Sequence, residues 1–451
     1  MKFLVVFSRI FVGSLFIVSG LIKANDPLGF SYKLEEYFAE SALNLPFLEP
    51  FALWLAVLVC IGEIVLGLAV LFGGKMRLAS WSLLILTLFF GWLTMYTATC
   101  DPSGTYTAVI NGEEVQRSVT CVTDCGCFGD AMKGSIGRSL TPWESFAKDM
   151  VLLVFIIPIF FFQKRIKLNT LADDKIYIPL SLVFTAFFSW IFTWWFPVLF
   201  LAIAWAGYFG LKKVLSGDKS EWALAGWATI LSLGFSFWCY NHLPARDYRP
   251  YAIGKNIEEG MKSAEELGLQ PPKFGYIYVM KNISSGEKKE MTDKEYIDGK
   301  WWENKEWEML GDETKQLKLE DGYEPPIRDF YLSDVDGNDK TYSILSAERM
   351  LLVVAYDIKK TDKDIQTDLN ALYEQCKASG IEMVCLTAAS YSEVESFRHE
   401  HQNMFEYLTG DGIMLKTIVR SNPGLVYLKK GTIAGKWHYN DAPSFAEIEA
   451  L

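Results

Sequence analysis

The sequence predicts an α-helical polytopic membrane bundle followed by an α/β domain outside the bilayer. Apolar stretches of about 20 residues, enough to cross a hydrocarbon core of roughly 30 Å, recur through the first half. Charge is divided just as sharply. Residues 1–241 hold 17 Lys+Arg and 17 Asp+Glu, residues 242–451 hold 26 and 37, so the net charge of −11 belongs wholly to the second half of the 451-residue chain. A chain so divided is not one soluble globule. An acidic exterior without a basic patch excludes nucleic acid as the natural partner. All four histidines (His242, His399, His401, His438) lie in the second half, which excludes a haem held by paired histidines within the spans.

Seven spans are read, at 3–22, 51–72, 78–97, 143–162, 176–195, 197–212 and 221–241. The fifth and sixth form one apolar run from 176 to 212, too long for a single crossing, and Trp194-Trp195-Phe196-Pro197 supplies an interfacial break in its middle. With the N-terminus cytoplasmic, the inside loops carry Lys75, Arg77, Lys164, Arg165, Lys167, Lys175, Lys212, Lys213 and Lys219. The longer outside loops carry only Lys23, Lys33, Arg117, Lys133 and Arg138. This bias puts residues 242–451 outside, in the periplasm of a bacterial inner membrane. The first span has a charged start but no convincing small-x-small cleavage site before Lys23, so it reads as retained rather than as a signal peptide.

Four of the eight cysteines, Cys100, Cys121, Cys125 and Cys127, crowd into the outside loop at 98–142. Two thiols separated by one small residue, as in Cys125-Gly126-Cys127, form a strained and readily exchanged disulfide. Gly126 and Gly129 would allow the tight turns that such a loop needs. Three readings stay open: a working thiol/disulfide relay, two structural disulfides of the kind usual in an oxidising compartment, and a four-thiolate metal site, whose spacing is unlike the paired-knuckle patterns. Cys60, Cys239, Cys376 and Cys385 read as small packing residues.

The stretch Asp124 to Asp130 (DCGCFGD), Ser8-Arg9 to Phe16 and Ser19-Gly20 to Lys23 in the first span, and Gly62-Glu63 to Gly67 in the second together resemble the DoxX/MauE-type membrane proteins. The resemblance covers about 1–162, a DoxX-like four-helix unit, leaving about three further spans at 163–241. It implies an association with thiosulfate or quinone oxidation, or with disulfide formation in envelope enzymes. Glu63 and Arg9 sit at similar depths along their spans, so an interhelical ion pair is expected between them, serving either helix register or a proton- or quinone-binding site. Lys23 is expected to snorkel at the outer end of its span. Glu63 is read as the one acidic residue at depth in the first four spans, which weakens a transporter reading.

Beyond the spans, 242–324 reads as an ordered stalk and a β-hairpin, Phe274–Met280 with Glu287–Met291. Trp301, Trp302 and Trp307 either cap a small core or meet a partner or lipid headgroups. From 325 the order is β-α-β-α-β-β-α, and this resembles the thioredoxin-like fold. In that family a cis proline precedes the strand facing the active site, and Pro423 occupies the matching position. The family's Cys-x-x-Cys is replaced by Asp357-Ile-Lys-Lys-Thr-Asp362, so this site cannot perform dithiol exchange. The functional expectation is an inner-membrane protein of thiol/disulfide maturation, with Cys125, Cys127, Cys100 and Cys121 exchanging and the thioredoxin-like domain docking clients. Membrane quinone would be the electron acceptor, although no residue identifies its site. The rival expectation is a non-catalytic scaffold subunit of an envelope complex with structural disulfides.

Overall fold

A computed structural model describes residues 2–101, 104–110, 113–122, 126, 128–311, 314–320 and 322–451. Among them are seven helices long and apolar enough to cross a membrane. They are α1 (Lys2–Asn25), α3 (Ala52–Phe72), α4 (Met76–Thr99), α6 (Pro142–Phe162), α7 (Leu171–Ile191), α8 (Phe196–Val214) and α9 (Gly217–Asn241). A shorter helix, α2 (Pro27–Phe38), follows α1 directly, because Asp26 accepts from the Gly29 amide as its N-cap and Pro27 opens its first turn. Thr141 with Glu144 and Thr170 with Asp173 form capping boxes that start α6 and α7. The long apolar run forms two helices, each long and apolar enough to cross. Thr193 takes a positive φ, Pro197 enters the first turn of α8, and Trp194 stacks on Phe196 at 5.4 Å.

Register inside the bundle is set where α1 and α3 meet, antiparallel, through glycines. A Cβ on Gly67 would lie 2.8 Å from the Gly13 carbonyl and 3.1 Å from the Ile17 amide, and one on Gly20 would lie 3.0 Å from the Cys60 carbonyl. Only glycine allows backbones this close, the usual device of helix association in lipid, where no hydrophobic force drives one helix against another. Ile10, Ile17, Leu21, Ile64, Leu68 and Leu71 fill the same seam. Trp54, Trp81, Ile85, Val154, Phe161 and Phe237 point outward, the arrangement expected where lipid is the solvent.

A polar network ties α7 and α8 to this seam at the face opposite the C-terminal half. Arg9 donates to the Val70 and Leu71 carbonyls, the unsatisfied end of α3, and also to Tyr177 (2.7 Å) and Asn169 (2.7 Å). Tyr208 in turn donates to Asp174 (3.0 Å), and Lys212 pairs with the same carboxylate.

Among the described residues, the C-terminal half holds two sheets. The smaller is built on β3 (Lys273–Asn282), which pairs antiparallel with β4 (Lys288–Thr292), with β5 (Trp307–Met309) and with β6 (Lys315–Glu320). Trp301 packs edge-on against Trp307, while Trp302 stays exposed.

The larger sheet has six strands: β7 (Leu332–Ser333), β8 (Met350–Val354), β9 (Glu382–Thr387), β10 (Glu406–Gly410), β11 (Gly424–Lys429) and β12 (Thr432–His438), in the order β12-β11-β8-β9-β10-β7. Its centre, β8-β9-β10, is parallel and its flanks are antiparallel. Period-2 alternation sends Leu352, Val354, Leu386 and Val426 to one face, with Leu415 and Ile418 of α15 (Gly412–Ile418). Leu351, Val353, Met383 and Leu425 go to the other face, with Leu369 of α13 (Gln366–Ala378) and Val394 of α14 (Tyr391–His401). Cys376 and Cys385 lie buried in this second layer.

The stalk from His242 to Gly254 lies on the bundle and binds the sheet. Asn25 exchanges hydrogen bonds with the Arg246 backbone, Tyr248 donates to the Phe192 carbonyl, and the Gly254 amide donates to Ile433. Asp247 accepts from both Arg249 and Lys436, and those two cations hold its carboxyl well below the usual range despite burial.

Widening the seam tests its role in register. Gly67→Val must push the two helix backbones apart and should cost about 1–3 kcal/mol in unfolding free energy. Gly62→Val, with nothing within 4 Å of its added Cβ, should cost far less. Thermal unfolding of the two variants in detergent checks the difference.

Candidate functional site

The cysteine loop sits at the face carrying the C-terminal half. Cys100 follows the last turn of α4, and Cys121 follows a hairpin of β1 (Thr105–Ile110) and β2 (Glu113–Ser118); the two are joined in a disulfide with Cα atoms 5.8 Å apart. Cys125 and Cys127 lie outside the described residues. Gly126 and Gly129 both have positive φ. Gly126 is pressed onto α2, where an added Cβ would lie 2.8 Å from Cγ of Lys33. Phe128 is buried, its ring 5.0 Å from that of Phe192, and the ammonium of Lys148 lies 5.4 Å from its centre. Asp130 then precedes α5 (Ala131–Ile136).

Beneath the loop the bundle holds two ion pairs, Lys23–Glu63 fully buried and Lys148–Asp149 with only the carboxylate buried. Lys23 binds both oxygens of Glu63, at 2.6 and 2.7 Å, and also Ser19 at 2.9 Å. The Lys23 and Glu63 side chains are 3% and 5% exposed. Phe30 and Phe90 lie close to the Lys23 ammonium, at 5.8 and 5.5 Å. One turn along α4 from Phe90, Thr94 donates to Asp149 (3.1 Å), which pairs with Lys148 at 2.8 Å. On one face of α4, Phe90 thus contacts the Lys23–Glu63 pair and Thr94, one turn on, contacts the Asp149–Lys148 pair.

Three sequence expectations are corrected here. Arg9 and Glu63 do not pair, because the glycine seam places Arg9 level with Val70 and Leu71 and places Lys23 beside Glu63. Lys23 is not a snorkelling anchor; α1 continues to Asn25, so the residue lies inside the bundle. Nor is Glu63 the one acid at depth in the first four spans, since Asp149 is as deeply buried. Asp149 could have been found by its place several residues into a span.

In the C-terminal half, the peptide bond Asn422–Pro423 is cis. Asn422 donates to the Asp357 carbonyl at 2.7 Å and its own carbonyl accepts from the Asp362 amide, so the thiol-free Asp357–Asp362 segment and Pro423 share one end of the sheet. That end is turned onto α2. Tyr32 donates to the Tyr356 hydroxyl at 3.1 Å, and Arg420 binds both oxygens of Asp26 at 3.0 and 2.9 Å. Burial would depress the Arg420 guanidinium, but Asp26 and then Asp130 outweigh it and raise its pKa. Burial pushes the Cys376 thiol up to about 11 and the Cys385 thiol up to about 12, so neither is a thiolate near neutral pH. His399 and His401 build no metal site, and among the described residues no cluster of three or more His, Cys, Asp or Glu is arranged to hold a metal ion.

Residues 1–102 match the family model described as Methylamine utilisation protein MauE. The match spans α1 to α4 and ends just past Cys100, so it contains Lys23, Glu63 and the glycine seam. Comparison with curated proteins and with solved structures returns no match.

Neutralising one partner of the Lys23–Glu63 pair leaves the other buried and uncompensated. Glu63→Gln or Lys23→Met alone should each cost about 3–5 kcal/mol, and the double change Lys23→Met/Glu63→Leu should recover most of that. Adding Arg9→Met to Glu63→Gln should recover nothing. Unfolding midpoints of the purified variants decide the pairing.

Proposed function

We propose that the protein is a bacterial inner-membrane component of thiol/disulfide maturation of envelope proteins, with Cys125 and Cys127 as the exchanging pair. The observation that carries this reading is the Cys100–Cys121 disulfide. One bond staples the loop and leaves two cysteines separated by a single glycine, while Cys60, Cys239, Cys376 and Cys385 are buried as free thiols. In the oxidising direction, a client thiolate attacks the Cys125–Cys127 disulfide and a second client thiol displaces the mixed disulfide. The client gains its disulfide, the loop is left as two thiols, and two electrons and two protons then pass to a membrane quinone. The match of residues 1–102 to MauE supports a redox setting for this membrane unit.

The C-terminal half belongs, in this reading, to the thioredoxin type. Its parallel β8-β9-β10 centre, antiparallel flanks and helices on both faces support that assignment. Lacking thiols in Asp357–Asp362, it holds clients rather than oxidising them, and it does so by surfaces other than the end turned onto α2. The positive-inside bias supports a periplasmic location for this half and for the loop.

The same disulfide and the same thiol-free segment favour a second reading, a non-catalytic scaffold subunit of an envelope complex. Substitution separates the two. Cys125→Ser and Cys127→Ser should each abolish client disulfide formation, read as the thiol state of envelope proteins trapped by alkylation in cells, without lowering membrane abundance. Cys100→Ser should lower abundance. A scaffold would keep its function in the first two variants or lose abundance in all three.

A further inference from the structure

One side chain of the C-terminal half reaches both walls of the cysteine loop. Arg420 lies between α15 and β11 and is buried, with 7% of its surface exposed. Its Nε binds both oxygens of Asp26, whose Oδ1 simultaneously caps α2 by accepting from Gly29. Its Nη1 donates to the Lys416 carbonyl, which fixes the guanidinium plane within its own domain. Its Nη2 stands 4.0 Å from Oδ2 of Asp130, the last residue of the Asp124–Asp130 segment. The Tyr32 ring lies 5.5 Å beneath it, and an added Cβ on Gly29 would come within 2.9 Å of Nη2, so α2 is shaped around this group.

The mechanical consequence follows from where the loop is held. Gly126 rests on Lys33 of α2, Phe128 is anchored in the bundle, and Asp130 faces Arg420. A guanidinium hydrogen-bonded to Asp26 at the start of α2 and facing the Asp130 carboxylate at 4.0 Å draws the two supports together electrostatically. Lysine, a single point charge, cannot span two carboxylates and a carbonyl in this way. We infer that Arg420 is a positioning residue for the cysteine loop. Through it, a domain without redox thiols is tied to Asp130 and to α2, the described supports of that loop. The inference rests on the exchange reading for its chemical meaning, but its structural content can be measured separately.

The experiment compares native full-length protein with Arg420→Gln, Arg420→Lys and Asp130→Asn in detergent. Hydrogen exchange is followed at 27–38, 126–136 and 350–354, together with the pH dependence of thiol alkylation after mild reduction. Arg420→Gln should raise exchange about tenfold or more in both 27–38 and 126–136, leave 350–354 unchanged, and alter the alkylation profile. Arg420→Lys should fall between it and the native protein. Asp130→Asn should affect 126–136 alone, and it supplies the test if Arg420→Gln does not fold. Native exchange at 126–136 in Arg420→Gln, or in Asp130→Asn, overturns the inference. If 126–136 loosens as stated yet Cys125→Ser and Cys127→Ser retain native function, the clamp stands and the exchange reading falls.

Discussion

The close approach of α1 and α3 through Gly13, Gly20 and Gly67 is the constraint on which the rest of this structure depends. Lipid gives no hydrophobic reason for two apolar helices to meet, so the missing side chains and the contact they permit decide the register. Once that register is set, the charges on α1 have fixed destinations. Arg9 arrives at the open carbonyls of α3 and gathers Asn169 and Tyr177, which attaches the three further spans at the opposite face. Lys23 arrives beside Glu63 near the loop face. Asp26, one turn farther on, starts α2 and receives Arg420 from nearly four hundred residues downstream. A single helix thus organises both ends of the bundle and the seat of the C-terminal domain.

The buried charges belong to this geometry rather than to stability alone. An ion pair in an apolar interior rarely outperforms well-packed hydrocarbon, and charges within spans mark working sites more often than decoration. Lys23–Glu63 is one such pair, and Asp149, buried and joined to the half-buried Lys148, lies on the same side of α4. The match to MauE, residues 1–102, takes in the first pair and stops before the second, which is supplied by α6.

Much of the fold is legible in the sequence because its signals are local. Apolar length marks the seven spans, Trp194 to Pro197 marks the hairpin, and short apolar runs mark β8, β9 and β11 within a residue or two of their ends. What is not legible depends on contacts between distant elements. Depth counted along separate spans puts Arg9 beside Glu63, whereas a shared glycine seam displaces them by about two turns. The apolar run ends at Ile22, which places Lys23 in the headgroups, although α1 runs on to Asn25. Asp149 itself is legible by its place several residues into its span, but its contact with Thr94 is not. No local pattern announces that Arg420 meets Asp26, because neither residue is unusual in its own segment.

The central claim is a division of labour within one loop, Cys100–Cys121 as a permanent staple and Cys125 with Cys127 as the exchanging pair. Mass-spectrometric mapping of loop peptides from cells quenched with a membrane-permeant alkylating reagent, with and without mild reductant, tests it most directly. The account predicts a Cys100–Cys121 bond that mild reductant leaves intact, with Cys125 and Cys127 found in both oxidised and alkylated forms that shift with the reductant. Bonds linking Cys100 or Cys121 to Cys125 or Cys127, or four cysteines uniformly oxidised under both conditions, would contradict it.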